Sequence, residues 1–388
     1  MTNASHAVFT EVSLAEHAGA VSAENMTDPI SVTFLRDVQH GGSADQLPHV
    51  ADQLARFIAT ATQSVDVAIY DFRLSDTSAA DAVVGALRDA TERGVSVRIG
   101  YDAGKPARAD FATFAMWEAD PAPRGTQEWV REHFADTMVR TRAITGGHQL
   151  MHSKYVVRDA GTADAGVWTG SANFTDDAWT RQENNIIVIA DTGVSSAYRD
   201  DFDQLWDGGA IAGTGRGSEG SNTIAGGTLG WDFCPGDGGA VNSALTARIA
   251  AATERIIVAS MVLTSHEILT ALADALDRGI TLSGIYDGGQ MDPIVRRWEK
   301  NPHDVELVAT WTKVSANLRV KHSTPYTPSG PHNFMHLKVM VSDDTLTTGS
   351  YNFSANAERN AENQIHLTDP TTVNAYTDYL NHVIEAYR

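Results

Sequence analysis

Hydrophobic and polar positions follow the same order in the two halves of the chain. In the first half, an apolar strand, an amphipathic helix that ends at glycine and a second apolar strand are predicted at 65–72, 79–94 and 95–102. In the second half, the same three patterns occur at 255–263, 265–279 and 280–287. Asp102 and Asp287 end the second strand of each half, 185 residues apart. Strand, helix and strand in this order predict a parallel βαβ unit in each half.

The remainder of each half also repeats. About 45 residues without clear periodicity, at 103–150 and 288–334, precede three strand-like runs in each half, and helical patterns close the halves at 192–207 and 370–387. A stretch rich in Gly and Ser between the halves predicts a linker. We therefore predict an α/β fold of two lobes related by a pseudo-twofold axis, with mixed or parallel sheets flanked by helices. The predicted parts are a tail at 1–28, lobe 1 at 29–208, a linker at 209–227 and lobe 2 at 228–388.

Composition and charge restrict the classes of function. Apolar residues make up 42% of the 388 residues and charged residues 20%, which is typical of a globular protein. The net charge of -20, from 29 basic and 49 acidic side chains, repels polyanions and argues against a broad basic groove for nucleic acid. The alternative explanation is that the acidity only maintains solubility. A small local positive site is compatible with both.

Sorting signals and cysteine pairs are not apparent. The sequence has no stretch of 18 apolar residues and no basic, apolar leader at its start, so we expect neither a membrane span nor a secretory signal. We expect a cytoplasmic protein, or a secreted one if a signal has been removed. The single cysteine, Cys234, cannot form an internal disulfide.

One polar motif occurs twice, as GGHQLMHSKYVVRD at 146–159 and GPHNFMHLKVMVSD at 330–343. Each copy is followed by Gly-Ser-x-Asn and, ten residues after the Asn, by Glu. The polar residues of the first half are His152, Lys154, Asp159, Gly170, Ser171, Asn173 and Glu183. Those of the second half are His336, Lys338, Asp343, Gly349, Ser350, Asn352 and Glu362.

Strand alternation places the His and the Lys of each copy on one face. If the copies meet at a twofold axis, one pocket receives two imidazoles, two ammonium groups, two amides and two hydroxyls. That set suits a phosphate group held without a metal ion. Two imidazoles across a phosphodiester can act as nucleophile and proton donor, and we expect Glu183 and Glu362 to be their acidic partners.

The doubled H-x-K-x4-D and G-S-x-N motifs resemble those of the phospholipase D superfamily, over nearly the whole of 65–388. The resemblance implies a two-lobed fold with the active site between the lobes, a phosphohistidine intermediate and no metal or other cofactor. It implies that His152 is the nucleophile and His336 the general acid. It assigns phosphate binding to Lys154, Lys338, Asn173 and Asn352, joined in our prediction by Ser171 and Ser350, and gives Asp159 and Asp343 structural roles.

The sequence alone does not decide the substrate class. We favour a phospholipid, whose head group is hydrolysed or transferred, with peripheral membrane contact left open. The alternative is a nuclease for DNA or RNA, which needs basic residues near the pocket. Candidates lie in the two segments 103–150 and 288–334, which we call the insertions. They are Arg108, Arg124, Arg131, Arg140, Arg142, Arg296, Arg297, Lys300, Arg319 and Lys321. Because both half-sites lie in one chain, a monomer is compatible with activity, and the oligomeric state is not specified.

Some residues of the insertions have two interpretations. The aromatic residues Phe111, Phe114, Trp117, Trp129, Phe134, Trp298, Trp311 and Tyr326 either pack the insertions onto the lobes or line a substrate entrance. His148 and His332, each four residues before a motif His, are either loop residues or contacts at the pocket rim.

Overall fold

Each half of the chain forms a lobe around one mixed sheet. The computed structural model describes residues 29–104, 123, 125–224, 226–327 and 330–388. The strands of lobe 1 are β1 Ile30–Leu35, β2 Ser64–Ile69, β3 Phe72–Arg73, β4 Ser96–Asp102, β5 Arg140–Ile144, β6 Lys154–Arg158, β7 Gly166–Gly170, β8 Phe174–Thr175 and β9 Asn184–Ile189. Its helices are α1 Gln46–Ala59, α2 Thr77–Glu92, α3 Thr126–Phe134, α4 Asp176–Thr180 and α5 Thr192–Gly208. The main sheet has the order β1-β9-β7-β6-β2-β4-β5, and β3 pairs separately with β8.

Lobe 2 repeats this plan. Its strands are β10 Gly220–Ile224, β11 Gly227–Cys234, β12 Arg255–Ser260, β13 Thr281–Asp287, β14 Arg319–Lys321, β15 Lys338–Ser342, β16 Thr345–Gly349 and β17 Glu362–Leu367. Its helices are α6 Gly238–Ala251, α7 His266–Asp277, α8 Gly288–Glu299, α9 Val305–Ser315 and α10 Pro370–Ala386. The sheet has the order β10-β11-β17-β16-β15-β12-β13-β14, so β12, β15, β16 and β17 take the places of β2, β6, β7 and β9.

The predicted βαβ units are confirmed in both lobes. Strand β2 runs parallel to β4 and β12 runs parallel to β13, whereas the strands that carry the repeated motifs pair antiparallel to β2 and β12. Helix α2 is capped by Asp76, whose side chain accepts a hydrogen bond from the Ala79 amide, and it buries Val83 and Leu87 on one face. The predicted α/β fold of two lobes is therefore confirmed.

The two insertions are more regular than their sequences suggest. The segment 103–150 contains α3 and β5, and 288–334 contains α8, α9 and β14, although neither segment shows clear periodicity in its sequence. These helices are short, and each buries only a few residues, such as Trp311 and Val314 of α9, which gives weak periodicity. Phe134, Trp298 and Trp311 are buried against the lobes, whereas Tyr326 is 41% exposed. The candidates Arg108, Phe111, Phe114, Trp117 and Arg124 and the tail 1–28 lie outside the described residues.

A central apolar core joins the two lobes. It contains residues of α5 and α10 together with inner-face residues of both sheets, while separate cores lie under α1 and α2 in lobe 1 and under α6 and α7 in lobe 2. Two buried asparagines form hydrogen bonds from one lobe to the other. Asn185 Nδ2 donates to Tyr376 Oη at 2.7 Å, and Asn363 Nδ2 donates to Tyr198 Oη at 2.9 Å. This exchanged pair of contacts follows the pseudo-twofold axis and fixes one lobe against the other.

The segment 209–227, predicted as a linker, includes β10, which pairs antiparallel with β11. Within the described part of the chain, no helix combines the length and the apolar character needed to cross a bilayer.

Candidate active site

The two motif histidines lie where the lobes meet, just before β6 and β15. The His152 amide donates to the Ala361 carbonyl at 2.8 Å, and the His336 amide donates to the Glu183 carbonyl at 3.1 Å. Isolated parallel bridges join Met151 to Ala361 and Met335 to Glu183 beside these bonds. The backbone of each histidine is thus held by the opposite lobe.

A carboxylate at the end of β4 or of β13 holds the residue before each histidine. Asp102 Oδ2 accepts from the Met151 amide and Asp287 Oδ2 from the Met335 amide, both at 2.7 Å. Asp287 also accepts from the Ser323 hydroxyl at 2.6 Å. Burial raises the pKa of Asp287 to about 6, against these hydrogen bonds. No role was predicted for the two aspartates, although their 185-residue repeat could have revealed one.

The Gly-Ser turns bring the strand ends close to their neighbours. Gly170 and Gly349 have φ of 141° and 153°. A Cβ at Gly170 would lie 2.1 Å from the Asn185 carbonyl oxygen, and one at Gly349 would lie 2.3 Å from that of Asn363. Only glycine fits this approach and this backbone conformation.

The adjacent serine hydroxyls are engaged within the protein. Ser171 Oγ accepts from the Asn185 amide at 3.0 Å and donates to Asn184 Oδ1 at 2.7 Å. Ser350 Oγ accepts from the Asn363 amide at 2.9 Å, and both serines are fully buried. Their hydroxyls hold the ends of β9 and β17, which does not support the predicted contact with phosphate.

The two imidazoles have different partners. His152 Nδ1 lies 2.8 Å from Glu362 Oε2, and His336 Nδ1 lies 2.9 Å from Asn184 Oδ1. Because ionised carboxylates and amide oxygens only accept hydrogen bonds, both imidazoles carry their proton on Nδ1 and leave Nε2 for other contacts. The predicted pairing of Glu183 with a histidine therefore needs correction, since Asn184 occupies that place.

The correction results from one additional residue in lobe 1. The Asn185 amide donates to the Ser171 hydroxyl in lobe 1, and the Asn363 amide donates to the Ser350 hydroxyl in lobe 2. Asn185 and Asn363 are therefore structurally equivalent. Glu362 is therefore equivalent to Asn184, and the shared ten-residue spacing from Asn to Glu does not reflect structural register. The intervening segments differ, because lobe 1 forms helix α4 there and lobe 2 a 3-10 turn at Ala357–Arg359.

Glu183 instead belongs to a buried ionic cluster. Its Oε2 lies 2.7 Å from Lys321 Nζ, which also lies 3.2 Å from Asp37 Oδ2. Its Oε1 accepts from the Tyr387 hydroxyl at 2.6 Å. Lys321, predicted as a candidate basic residue for nucleic acid, is 1% exposed and occupied by this cluster.

Both motif lysines are buried beside the histidines. Each Nζ donates to the carbonyl of its own motif histidine, Lys154 to His152 and Lys338 to His336. Burial lowers the pKa of Lys154 to about 7, against the field of Glu362 and Asp71, and lowers that of Lys338 strongly, assisted by the charge of Lys154. Charged lysines in this setting are destabilised until an anion is present.

The histidines respond to the same cationic surroundings. Burial lowers the pKa of His152 to about 4, with Glu362 opposing and the two lysines assisting. Burial, Lys338, Lys154 and His152 lower the pKa of His336 well below 6.5. These mutual effects show that the four basic groups of the two motifs share one site. An anionic group among them would restore their protonated forms.

The remaining motif residues divide between the pocket and the scaffold. Asn173 and Asn352 are almost buried, and among the described residues their Oδ1 atoms have no hydrogen-bond partner. Asp159 and Asp343 lie at the far ends of β6 and β15, with φ of 50° and 47°. Asp159 accepts from the amides of 62, 63 and 64, and these hydrogen bonds lower its pKa although burial opposes them. Asp343 accepts equivalent bonds from 253, 254 and 255.

An aromatic ring and a rim histidine complete the surroundings. Tyr70, which no sequence pattern indicated, packs edge-on against His152 with ring centroids 4.8 Å apart, and Lys154 Nζ lies 5.1 Å from its centroid. His332 stacks between Tyr326 and Phe334, at 4.9 and 5.5 Å. His332 also donates its amide to Asp177 of lobe 1, whereas His148 is exposed.

A family comparison agrees with this geometry. The family model described as "Cardiolipin synthase, PLD-like domain" matches residues 54–206 and 245–384, which together exceed half the chain. The chain belongs to this family. Membership confirms the predicted place in the phospholipase D superfamily. Members of this superfamily are phosphodiesterases and phosphodiester transferases. No curated protein matches significantly.

Solved structures show the fold alone. Phosphatidylserine synthase from Haemophilus influenzae is similar at 14% identity and a TM-score of 0.58, covering 91% of this chain and 86% of its own. Polyphosphate kinase from Porphyromonas gingivalis is similar at 14% identity and a TM-score of 0.54, and this chain spans 50% of its length. Nuc from Salmonella typhimurium, a phospholipase D family member, is similar at 19% identity and a TM-score of 0.33, covering 42% of this chain and 97% of its own.

The donor set at the site is cationic and amide-rich. In the described part of the chain, no three His, Cys, Asp or Glu side chains are grouped so that they could hold a metal ion. The lysines beside both histidines make the pocket attractive to an anion such as a phosphodiester.

Proposed function

We propose that this chain is a metal-independent phosphodiesterase of the phospholipase D type, which hydrolyses or transfers the head group of a phospholipid. The observation that carries the proposal is the meeting of His152 and His336 from opposite lobes, each with Nδ1 engaged and Nε2 left for substrate. Lys154, Lys338 and the amides of Asn173 and Asn352 hold the phosphate. Asp159 and Asp343 brace the strands.

In the first step, His152 Nε2 donates its lone pair to phosphorus and forms a P–N bond. The P–O bond to the leaving alcohol breaks, its electron pair stays on oxygen, and the Nε2 proton of His336 moves to that oxygen. Glu362 stabilises the positive ring that forms at His152. In the second step, His336 Nε2 takes a proton from water or from an acceptor alcohol, whose oxygen attacks phosphorus. The P–N bond then breaks and its electron pair returns to His152.

Three observations favour a phospholipid over a nucleic acid. The net charge of -20 disfavours a polyanion at long range. Lys321, one of the candidate cations, lies in the buried cluster and is already engaged. The match to a family described by a lipid synthase supports the same choice. The nuclease alternative rests on the arginines that remain exposed on the insertions, such as Arg296 and Arg297.

The test is a parallel incubation, with EDTA present, of the purified chain on mixed phospholipid micelles and on single- and double-stranded nucleic acid. We expect release of the head group without nicking of the strands, and nicking alone would replace the proposal by the nuclease. Added primary alcohol distinguishes hydrolysis from transfer by the product lipid.

The proposed nucleophile has a separate test. His152→Ala should abolish turnover and the acid-labile phosphoprotein intermediate, whereas His303→Ala, an exposed histidine of lobe 2, is the matched control. A covalent adduct trapped on the His152→Ala variant would contradict the assignment. His336→Ala should lower turnover by roughly 10²- to 10⁴-fold, the usual contribution of a general acid.

A further inference from the structure

We propose that Asn184 is a positioning residue that makes the two half-sites unequal, so that only His152 can carry the covalent intermediate. The inference rests on the proposed function, because it concerns the direction of the same two-step displacement. It starts from the contrast between a carboxylate partner at His152 and an amide partner at His336.

The orientation of the Asn184 amide is fixed by four hydrogen bonds. Its Oδ1 accepts from His336 Nδ1 at 2.9 Å and from the Ser171 hydroxyl at 2.7 Å. Its Nδ2 donates to the Ala178 carbonyl at 3.0 Å and to Gln182 Oε1 at 3.1 Å. Since the residue is fully buried, rotation of the amide would break all four bonds. Asn184 therefore fixes the tautomer of His336 without contributing a charge.

The charges around the two rings differ accordingly. His336 faces Lys338, Lys154 and the imidazole of His152, and the carbonyl of Ser171 is its additional polar neighbour. His152 faces the same two lysines and also the buried carboxylate of Glu362. Tyr70 packs edge-on against the His152 ring.

This difference determines which ring can be phosphorylated. A histidine that bonds to phosphorus through Nε2 while it keeps its Nδ1 proton becomes a cation. Glu362 compensates that charge at His152, whereas an amide oxygen offers His336 only a dipole. A phosphorylated His336 would keep this uncompensated charge beside two lysines for the lifetime of the intermediate, which is costly, whereas a protonated His336 gives up its charge within the first step. His336 therefore carries only the proton, and it loses that proton readily because no anion stabilises its charged form.

Exchanging the two partners tests the inference. The variants are Asn184→Asp, Glu362→Gln and the double variant, assayed with bis(4-nitrophenyl) phosphate across pH, with the covalent adduct mapped by mass spectrometry after rapid quenching. We expect the wild-type adduct on His152, its loss in Glu362→Gln, and its appearance on His336 in the double variant. A wild-type adduct on His336 would overturn the inference.

The pH dependence gives a readout that a purely structural role would not change. A carboxylate at position 184 favours the charged imidazole, so the limb of kcat that reports His336 should move upward by about one pH unit or more in Asn184→Asp. Asn317→Asp makes the same change at an exposed position of lobe 2 and should leave that limb unmoved. An unmoved limb in Asn184→Asp would contradict the inference.

Titration of the histidine rings by NMR, without substrate, separates the inference from the proposed function. The pKa of His336 should rise in Asn184→Asp whether or not any phosphodiester is cleaved. If the pKa rises and no diester is turned over, the proposed function fails and the inequality of the half-sites stands. If diesters are turned over and the pKa does not rise, the inference fails alone. Should Asn184→Asp not fold, Glu362→Gln must lower the pKa of His152, and an unchanged value would refute the role of the partner.

Discussion

Replacement of Lys321 by methionine should be among the most destabilising single changes in this protein. The Lys321 ammonium is the cation between Glu183 and Asp37, at 2.7 and 3.2 Å, and it also donates to the Arg181 carbonyl at 3.1 Å. Methionine has a similar shape but leaves both carboxylates buried without their counter-ion. The cluster joins strand β14 of lobe 2 to the end of β1 and the start of β9 in lobe 1.

The distances set the scale of the effect. At an effective dielectric constant of about 20, the two attractions amount to about 6 and about 5 kcal/mol before the desolvation of the lysine is counted. Desolvation offsets much of this, and removal of one partner from a buried pair typically costs about 3–5 kcal/mol. We expect Lys321→Met to lower the free energy of unfolding by that amount. In Glu183→Gln/Lys321→Met the loss should be smaller than the sum of the single losses, by about 1 kcal/mol or more.

Urea unfolding of the wild type, both single variants and the double variant measures this cycle. Lys313 supplies the control, because its ammonium also lies 2.5 Å from a carboxylate, that of Asp277, but the pair is exposed. Lys313→Met should therefore cost about 0–1 kcal/mol. If Lys321→Met costs no more than Lys313→Met, or if the two losses at the cluster simply add, the reasoning from burial is wrong.

Three further changes test other parts of the structure. Gly349→Ala places a Cβ 2.3 Å from the Asn363 carbonyl at a positive φ and should lower stability by about 2 kcal/mol or more, whereas Gly85→Ala, a helical site with no atom nearby, should be neutral or stabilising; thermal melts compare them. Asp159→Asn should cost ~1–3 kcal/mol at pH 7. Because the folded pKa of Asp159 is depressed, this difference should begin to shrink as the pH falls below about 4 and disappear below the folded pKa, and unfolding curves that stay equally separated at low pH would contradict it. Tyr376→Phe leaves the buried asparagine of β9 without its interlobe acceptor and should cost ~1–3 kcal/mol, and an unchanged urea midpoint would show that this contact does not hold the lobes together.

The sequence was sufficient to predict the fold because local periodicity and the repeat agree. In each half the sequence has the pattern of a strand, an amphipathic helix and a second strand, which matches β2, α2 and β4 in lobe 1 and β12, α7 and β13 in lobe 2. The doubled motif marks the two strands that meet at the centre. The helices of the insertions could not be predicted because α3, α8 and α9 bury few residues each, so their periodicity is weak. Interactions with the lobes, which a single sequence does not display, stabilise them.

The partners of the histidines could be predicted only in part. Glu362 is hydrogen-bonded to a motif histidine, as its place after the Gly-Ser-x-Asn motif suggested. Glu183 has the same spacing from its Asn, but it lies in the ionic cluster with Lys321. Hydrogen bonds from the Asn185 and Asn363 amides to the serine hydroxyls set the register of β9 and β17, and spacing along the chain does not reveal an additional residue in the preceding turn. The roles of Asp102 and Asp287 were missed for another reason. They act on the backbone of a distant strand, and only their repetition was visible in the sequence.

The one-residue difference between the two turns has a consequence for how such a site can change over time. In a symmetric assembly of two identical chains, every substitution alters both half-sites together, and an advantage in one half is opposed by its cost in the other. Here the halves are encoded separately in one chain, so each can accept changes that the other could not tolerate. An amide on one side and a carboxylate on the other is an arrangement that identical subunits could never reach. Covalent duplication thus supplies independent inheritance for two parts that must still work on a single phosphate.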